Sequence, residues 1–225
     1  MRVNVLQHAV NEGPGVIAAW CHEHQHTMTV YHPAEFGRLP ALEDTDMLVI
    51  LGGPMSPNDD FDWLAAERDL IREAIARNIP VLGVCLGAQQ IAKACGYLVS
   101  AAPVKEVGWA PVRRVSTLIP GLPATAEVLH WHQDMFTVPD EAEQLYQGER
   151  VANQAFVFKH HPVVGFQFHF EPLADNLREI VVNDAAYDKD SVLQQTPAEI
   201  LAHGIPAENP QTMRVILDYL ATWSK

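Results

Sequence analysis

Basic residues are scarce in this sequence: 15 lysines and arginines stand against 28 aspartates and glutamates, a formal net charge of −13 over 225 residues. A surface of that sign repels phosphate backbones and anionic lipid head groups over a Debye length, so neither a nucleic-acid nor a membrane partner is expected. Cysteine is scarce too. The three, at positions 21, 85 and 95, are odd in number and form no framework of the secreted type, which suits free thiols in a reducing compartment. No window reaches about eighteen uninterrupted apolar residues, and Met1 leads straight into the strand-like "RVNVLQ" instead of a basic segment followed by an apolar one. A cytoplasmic location is expected. There is no internal repeat, low-complexity tract or obvious linker, and no Walker-type G-x-x-x-x-G-K-[ST] for nucleotide phosphates. The length suits one sizeable α/β domain over residues 1–225, with a core to about 182 and a helical tail from about 183 to 225.

Strand-like and helical stretches alternate along the first hundred residues. "VNVLQ", "TMTVY" near 30, "DMLVIL" near 50 and "IPVLGV" near 82 read as strands, with helices over 15–24 and 61–77. The second helix is the clearer, since Leu64, Leu70, Ile71, Ala74 and Ile75 make an apolar stripe opposite Glu67, Arg68, Asp69, Arg72 and Glu73. Such alternation predicts parallel pairing with right-handed crossovers. After Gly96 come "GYLVSA", "WAPVRRV", "EVLHWH", "QAFVFK" and "VVGFQFHF", which read as further strands, partly antiparallel. From Leu173 the chain turns helical again through "LADNLREIVV", "PAEILAHG" and "NPQTMRVILDYLATW". The predicted fold class is α/β: a flavodoxin-like open, mostly parallel sheet with helices on both faces, a small antiparallel extension and a helical C-terminal tail.

The stretch "IPVLGVCLGAQQIAKACG" carries the chemistry. Ile79 to Val84 is a short apolar run suited to a strand covered on both faces. From Leu86 the spacing becomes helical, with Leu86, Gln90, Ile91 and Ala94 on one face and Gly96 as a stop. Cys85 therefore falls on the corner between strand and helix. Strand, sharp glycine-flanked turn, nucleophile and helix form a nucleophile elbow, and the helix N-terminus favours a thiolate. In "GFQFHFE", His169 and Glu171 stand two apart on an expected strand, so they leave the same face and the carboxylate can orient the imidazole as base. Phe166, Phe168 and Phe170 would face the core. "LGGPMSP" follows the strand "DMLVI", where glycines let backbone N–H groups approach a ligand. The N–H groups of Gly53 and Leu86 are the candidate oxyanion-hole donors.

Gly83, Cys85, Gly87 and Gln89 spell G-x-C-x-G-x-Q, and with "LGGP", "KEVGW", "HWHQD", "NQAF" and "GFQFHFE" in that order the chain resembles the class I, or triad, glutamine amidotransferases. The likeness is greatest to the amidotransferase domain of GMP synthase and to free-standing proteins built like it, over about residues 45–171. It implies glutamine hydrolysis through a Cys85 thioester, with His169 as acid and base and Glu171 orienting it. It also implies that Gly52, Gln89, Gln133 and Asp134, the last two in the loop "HQD", hold the substrate's α-amino and α-carboxylate groups. The family's usual His-Pro-Glu has Phe170 in place of proline. No cofactor is implied, and ammonia would pass to a separate synthase subunit. The alternatives are a stand-alone hydrolase of γ-glutamyl peptides or amides, and a non-catalytic relative.

Other features have plainer readings. Cys21 and Cys95 fall within helical patterns as packed thiols. Cys21, His22, His24 and His26 look like a ligand set, but on a helix residues 22, 24 and 26 point in different directions, so the stretch reads as a polar helix end. His160 and His161 precede a proline and read as a turn. No metal is expected.

Overall fold

β-Branched and apolar runs too short for helices become strands, and in the computed structural model, which describes residues 1–183, 187 and 189–223, nine of them join one sheet. They are β1 (Arg2–Leu6), β2 (Thr27–Tyr31), β3 (Met47–Ile50), β4 (Val81–Val84), β5 (Val99–Arg114), β6 (Thr125–Phe136), β7 (Ala142–Gln147), β8 (Asn153–Phe158) and β9 (Val163–Phe166). The order is β2-β1-β3-β4-β9-β8-β7-β5-β6. The first five are parallel neighbours and the rest pair antiparallel. The helices are α1 (Val16–Glu23), α2 (Pro33–Phe36), α3 (Asp62–Ala76), α4 (Leu86–Ala94), α5 (Ala174–Asn183), α6 (Pro197–His203) and α7 (Glu208–Ala221).

The period of two along the strands divides the core into two faces. Val3, Val5, Val49 and Val84 pack with Val16, Ile17 and Trp20 of α1 and with Met213, Ile216 and Leu220 of α7. Leu6, Leu48, Ile50 and Val81 pack with Ile71 of α3 and with Ala88 and Ile91 of α4. A third group joins Trp109 and Trp131 to Leu177 and Ile200 of α5 and α6. The helical tail thus covers part of the sheet. It is also held by Trp20 Nε1 donating to Asp218 Oδ1 at 2.8 Å and by Arg214 Nη2 donating to Glu23 Oε1 at 2.6 Å.

Helix α4 has no solvated face apart from Lys93, because it lies between the sheet and α3; Leu86 through Ala92 and Ala94 are all buried. Two local expectations change. The segment "HQD" is part of strand β6 and not a loop. Opposite it, β5 changes register: Ala101 faces Asp134 but Glu106 faces His132. The strand through "GFQFHF" ends at Phe166, and residues 167–170 bend away with one isolated bridge from His169 to Leu129. Phe166, Phe168 and Phe170 nevertheless stay buried together, with ring centroids 4.8–5.6 Å apart. Their alternation persists because the apolar core, not the ladder, fixes those side chains.

Candidate active site

Cys85 follows β4 directly and caps α4, with φ 50° and ψ −107°, a conformation costly for a residue with a Cβ. The close packing on either side depends on the signature's glycines. A Cβ on Gly83 would lie 2.7 Å from the Ala88 nitrogen, and one on Gly87 would collide with the Ile50 carbonyl. Gly83 and Gly87 therefore let α4 settle directly on β3 and β4. Gly87→Ala should destabilise the fold by about 2–4 kcal/mol, seen as a fall in Tm of roughly 5–10 °C by calorimetry, since the clash is with backbone that cannot rotate away.

The Cys85 Sγ lies 3.8 Å from the Trp131 carbonyl oxygen and 3.7 Å from Gln167 Nε2, which donates to it. The same sulfur lies near enough to the His169 imidazole to raise its pKa. His169 Nδ1 donates to Glu171 Oε1 at 2.6 Å, and both side chains are almost fully buried. Burial alone would depress the His169 pKa. The Glu171 carboxylate and the Cys85 sulfur outweigh it and hold the pKa well above the ordinary histidine value. The pair is fixed by backbone: His169 N donates to Leu129 O at 2.9 Å, and Glu171 O accepts from Val16 N at 2.8 Å, in the first turn of α1. Gly15, at φ 45°, permits that last contact, since a Cβ there would strike the Glu171 carbonyl.

The "LGGP" segment leaves the end of β3 beside Cys85. Gly52 is buried below the surface, where a Cβ would strike the Glu12 carboxylate and stand 3.3 Å from His169 Cε1. A Cβ on Gly53 would lie 3.2 Å from Leu86 Cδ2, so the Leu86 side chain packs against Gly53. Leu86 opens α4, and N–H groups of a helix's first turn have no partner within the helix. His8, which the sequence reading passed over, sits under this segment. Its Nδ1 donates to the Leu51 and Gly52 carbonyls at 3.1 and 3.2 Å and its Nε2 to Glu67 Oε2 at 2.8 Å. Burial opposes the charge on His8, but Glu67 and the two carbonyls raise its pKa. In a trans peptide C=O and N–H are opposed, so with the Gly52 carbonyl turned to His8 the Gly53 N–H points away from it.

Above these groups opens a pocket whose lining includes Cys85, Gly53, Gln89, Gln133, Asp134 and Glu12. Of the expected substrate-binding residues, Gln89, Gln133 and Asp134 line it, while Gly52 lies beneath. Gln89 Nε2 donates to Gln167 Oε1 at 3.2 Å, which links it through Gln167 to Cys85. Ser56 donates to Asp134 Oδ2 at 3.0 Å and ties the glycine loop to β6. Glu12, Trp131, Ser56 and Tyr187 were not found from sequence. Only "NEGPG", glycine-rich just after a strand, gave a signal that could have flagged Glu12. Tyr187, from the tail, stacks on Trp131 with rings 6.1 Å apart.

Cys21, Cys95 and the histidines at 24, 26 and 161 do not line the pocket. Burial pushes the thiols of Cys21 and Cys95 up to about 11. His24 and His26 pack against the Trp20 ring at 5.0 and 4.8 Å, and His161 Nδ1 bonds Asn78 Oδ1 at 2.8 Å in the turn before β9.

Known proteins resemble the chain along most of its length. It is 34% identical over 185 residues to the glutamine amidotransferase-like protein YfeJ of Salmonella typhimurium, covering 76% of each. To a subunit of the glutamine-hydrolyzing GMP synthase of Sulfolobus acidocaldarius it is 32% identical over 133 residues, 58% of this chain and 69% of that one. The crystal structure of a glutamine amidotransferase from Methylobacillus flagellatus superposes with a TM-score of 0.92 at 29% identity, covering 100% of this chain and 95% of the other. The family model described as glutamine amidotransferase class-I matches residues 8–184, and the chain belongs to that family.

Proposed function

We propose that the protein hydrolyses the side-chain amide of glutamine through a thioester on Cys85 and passes the ammonia to a separate synthase subunit. The observation that carries the reading is the placement of the Cys85 sulfur within reach of a buried His169–Glu171 pair at the floor of an open pocket. The Cys85 thiolate attacks the amide carbon, and the Gly53 and Leu86 N–H groups take the developing oxyanion. As the C–N bond breaks, His169 gives its proton to the leaving nitrogen. Water, deprotonated by His169, then attacks the thioester; the C–S bond breaks, and glutamate and the thiolate are released. Glu12 and Asp134 supply carboxylates facing the substrate's α-ammonium group.

The separate partner rests on the relatives that are themselves named as GMP synthase subunits. Hydrolysis without an acceptor wastes glutamine, so the isolated chain should turn over slowly. The loop at 52–54 is the element expected to reorganise, because glycines permit a peptide flip, and His8 sets its resting orientation. Adding the right synthase partner should raise glutamine turnover at least about tenfold, or about 1.4 kcal/mol of barrier. An ammonia-release assay on glutamine and γ-glutamyl compounds, with and without that partner, decides the matter. Rapid cleavage of a γ-glutamyl peptide such as glutathione by the chain alone would replace this reading with that of a stand-alone hydrolase.

A further inference from the structure

Glu106 on β5 and His130 and His132 on β6 turn three donor atoms toward one point beneath the pocket. Glu106 Oε2 lies 3.3 Å from His132 Nε2 and 3.6 Å from His130 Nδ1, and the two nitrogens are 3.4 Å apart. All three residues are at most 2% exposed. Among the described residues this is the sole group of three such donors within 4.8 Å of one another. Each separation is longer than a good hydrogen bond of about 2.7–3.2 Å. For metal bonds of about 2.1 Å, however, donors around a tetrahedral ion stand about 3.4 Å apart, and around an octahedral ion about 3.0 Å. The observed triangle has the tetrahedral size.

The protons agree with this. His132 Nδ1 is 3.1 Å from the Asp134 carbonyl oxygen, a contact that requires the proton on Nδ1 and leaves a lone pair on the Nε2 of the neutral ring, directed into the triangle. Gln154 Nε2 donates to Glu106 Oε2 at 2.8 Å and to Val151 O at 3.2 Å, which fixes the carboxylate from behind. His130 Nε2 has no hydrogen-bond partner. With His132 neutral, a proton on His130 Nδ1 could satisfy only one of its two facing acceptors, and at long range; a bare Nδ1 would put three lone pairs face to face. A divalent cation satisfies all three donors.

We propose that Glu106, His130 and His132 bind one zinc ion, with a fourth position left for water, in a chain whose sequence predicts no metal. Two histidines and a carboxylate also suit iron, but the tetrahedral spacing selects zinc. The ion would clamp β6 to β5 where their register breaks. That clamp fixes the strand bearing the Trp131 carbonyl, which contacts Cys85, and the Leu129 carbonyl, which holds His169. His132 also lines the pocket, which gives the ion a route in. Its role is to position β6, not to touch substrate, and the inference does not depend on the glutaminase reading.

The test is metal analysis of tag-free protein dialysed against metal-free buffer. About one zinc per chain is expected, falling at least tenfold in Glu106→Gln and in His130→Gln and unchanged in the double variant His22→Ala, His24→Ala. Wild-type protein stripped by chelator and reloaded with Co2+ should show the intense visible bands of four-coordinate cobalt, and zinc should raise the Tm of the stripped protein. The cobalt measurement needs no substitution, so it decides the case even where Glu106→Gln misfolds. Stripped protein that binds neither ion, a weak octahedral cobalt spectrum, or zinc lost with His22 and His24 but kept in Glu106→Gln would each overturn the proposal.

Discussion

Cys85→Ala should lower glutamine hydrolysis by about 10^4-fold or more and leave the fold intact. Residue 85 sits at φ 50° whether or not its side chain carries sulfur, so alanine inherits the strain without the proposed chemistry. Glycine adopts that conformation freely, and Cys85→Gly should therefore melt no lower than Cys85→Ala although equally inactive. In wild-type protein, diazo-oxo-norleucine should add one label per chain. Mapping should find it on Cys85 and on neither Cys21 nor Cys95, whose thiols burial holds protonated up to about 11. A label on either of those two would remove Cys85 from the reaction.

The second large effect separates His169 from Glu171. In the proposed mechanism His169→Ala removes both the acid for ammonia departure and the base for thioester hydrolysis, and should lower kcat about 10^3- to 10^4-fold. Glu171→Gln keeps a hydrogen-bond acceptor for Nδ1 but loses the charge, so a smaller fall of about ten- to a hundredfold is expected. The pH profile distinguishes this from simple damage. Glu171 and Cys85 raise the His169 pKa, and the alkaline limb of kcat reports loss of the imidazolium. Without the carboxylate that limb should move to lower pH. Stability follows the same sign: with the folded pKa above the unfolded value of about 6.5, protonated His169 contributes stability that is fully present below that pH and lost as pH rises through the folded pKa. Glu171→Gln should erase most of that pH dependence in Tm. An unchanged profile and unchanged rates would show that the carboxylate has no part in the reaction.

Much of the site was legible because its signals are local. Gly83, Cys85 and Gly87 announce a tight strand-to-helix corner, and the spacing of His169 and Glu171 announces their pairing, which forms although the strand ends at Phe166. The missed residues act across the chain. His8 follows the first strand and carries no motif, yet it grips the Gly52 carbonyl from below. Tyr187 reaches the pocket from the helical tail, and its partner Trp131 reads in sequence as an ordinary strand aromatic. Glu106 is separated from His130 and His132 by the whole β5–β6 turn, so only those two histidines, two apart on one strand, carried a local spacing, whereas the eye-catching His24 and His26 pack around Trp20.

By itself the sequence determined which elements form and which residue types stand at their ends, since periodicity, glycine placement and β-branching act within a few residues of one another. It could not determine that β9, a long way from β4 in the chain, pairs beside it with Val84 facing Phe166. That pairing, with β3 on the other flank of β4, brings His169 and Gly53 to either side of Cys85. Strand order is decided by burying both faces of the whole sheet at once, under α1 and α7 on one side and α3 and α4 on the other, and no local stretch of sequence contains that balance.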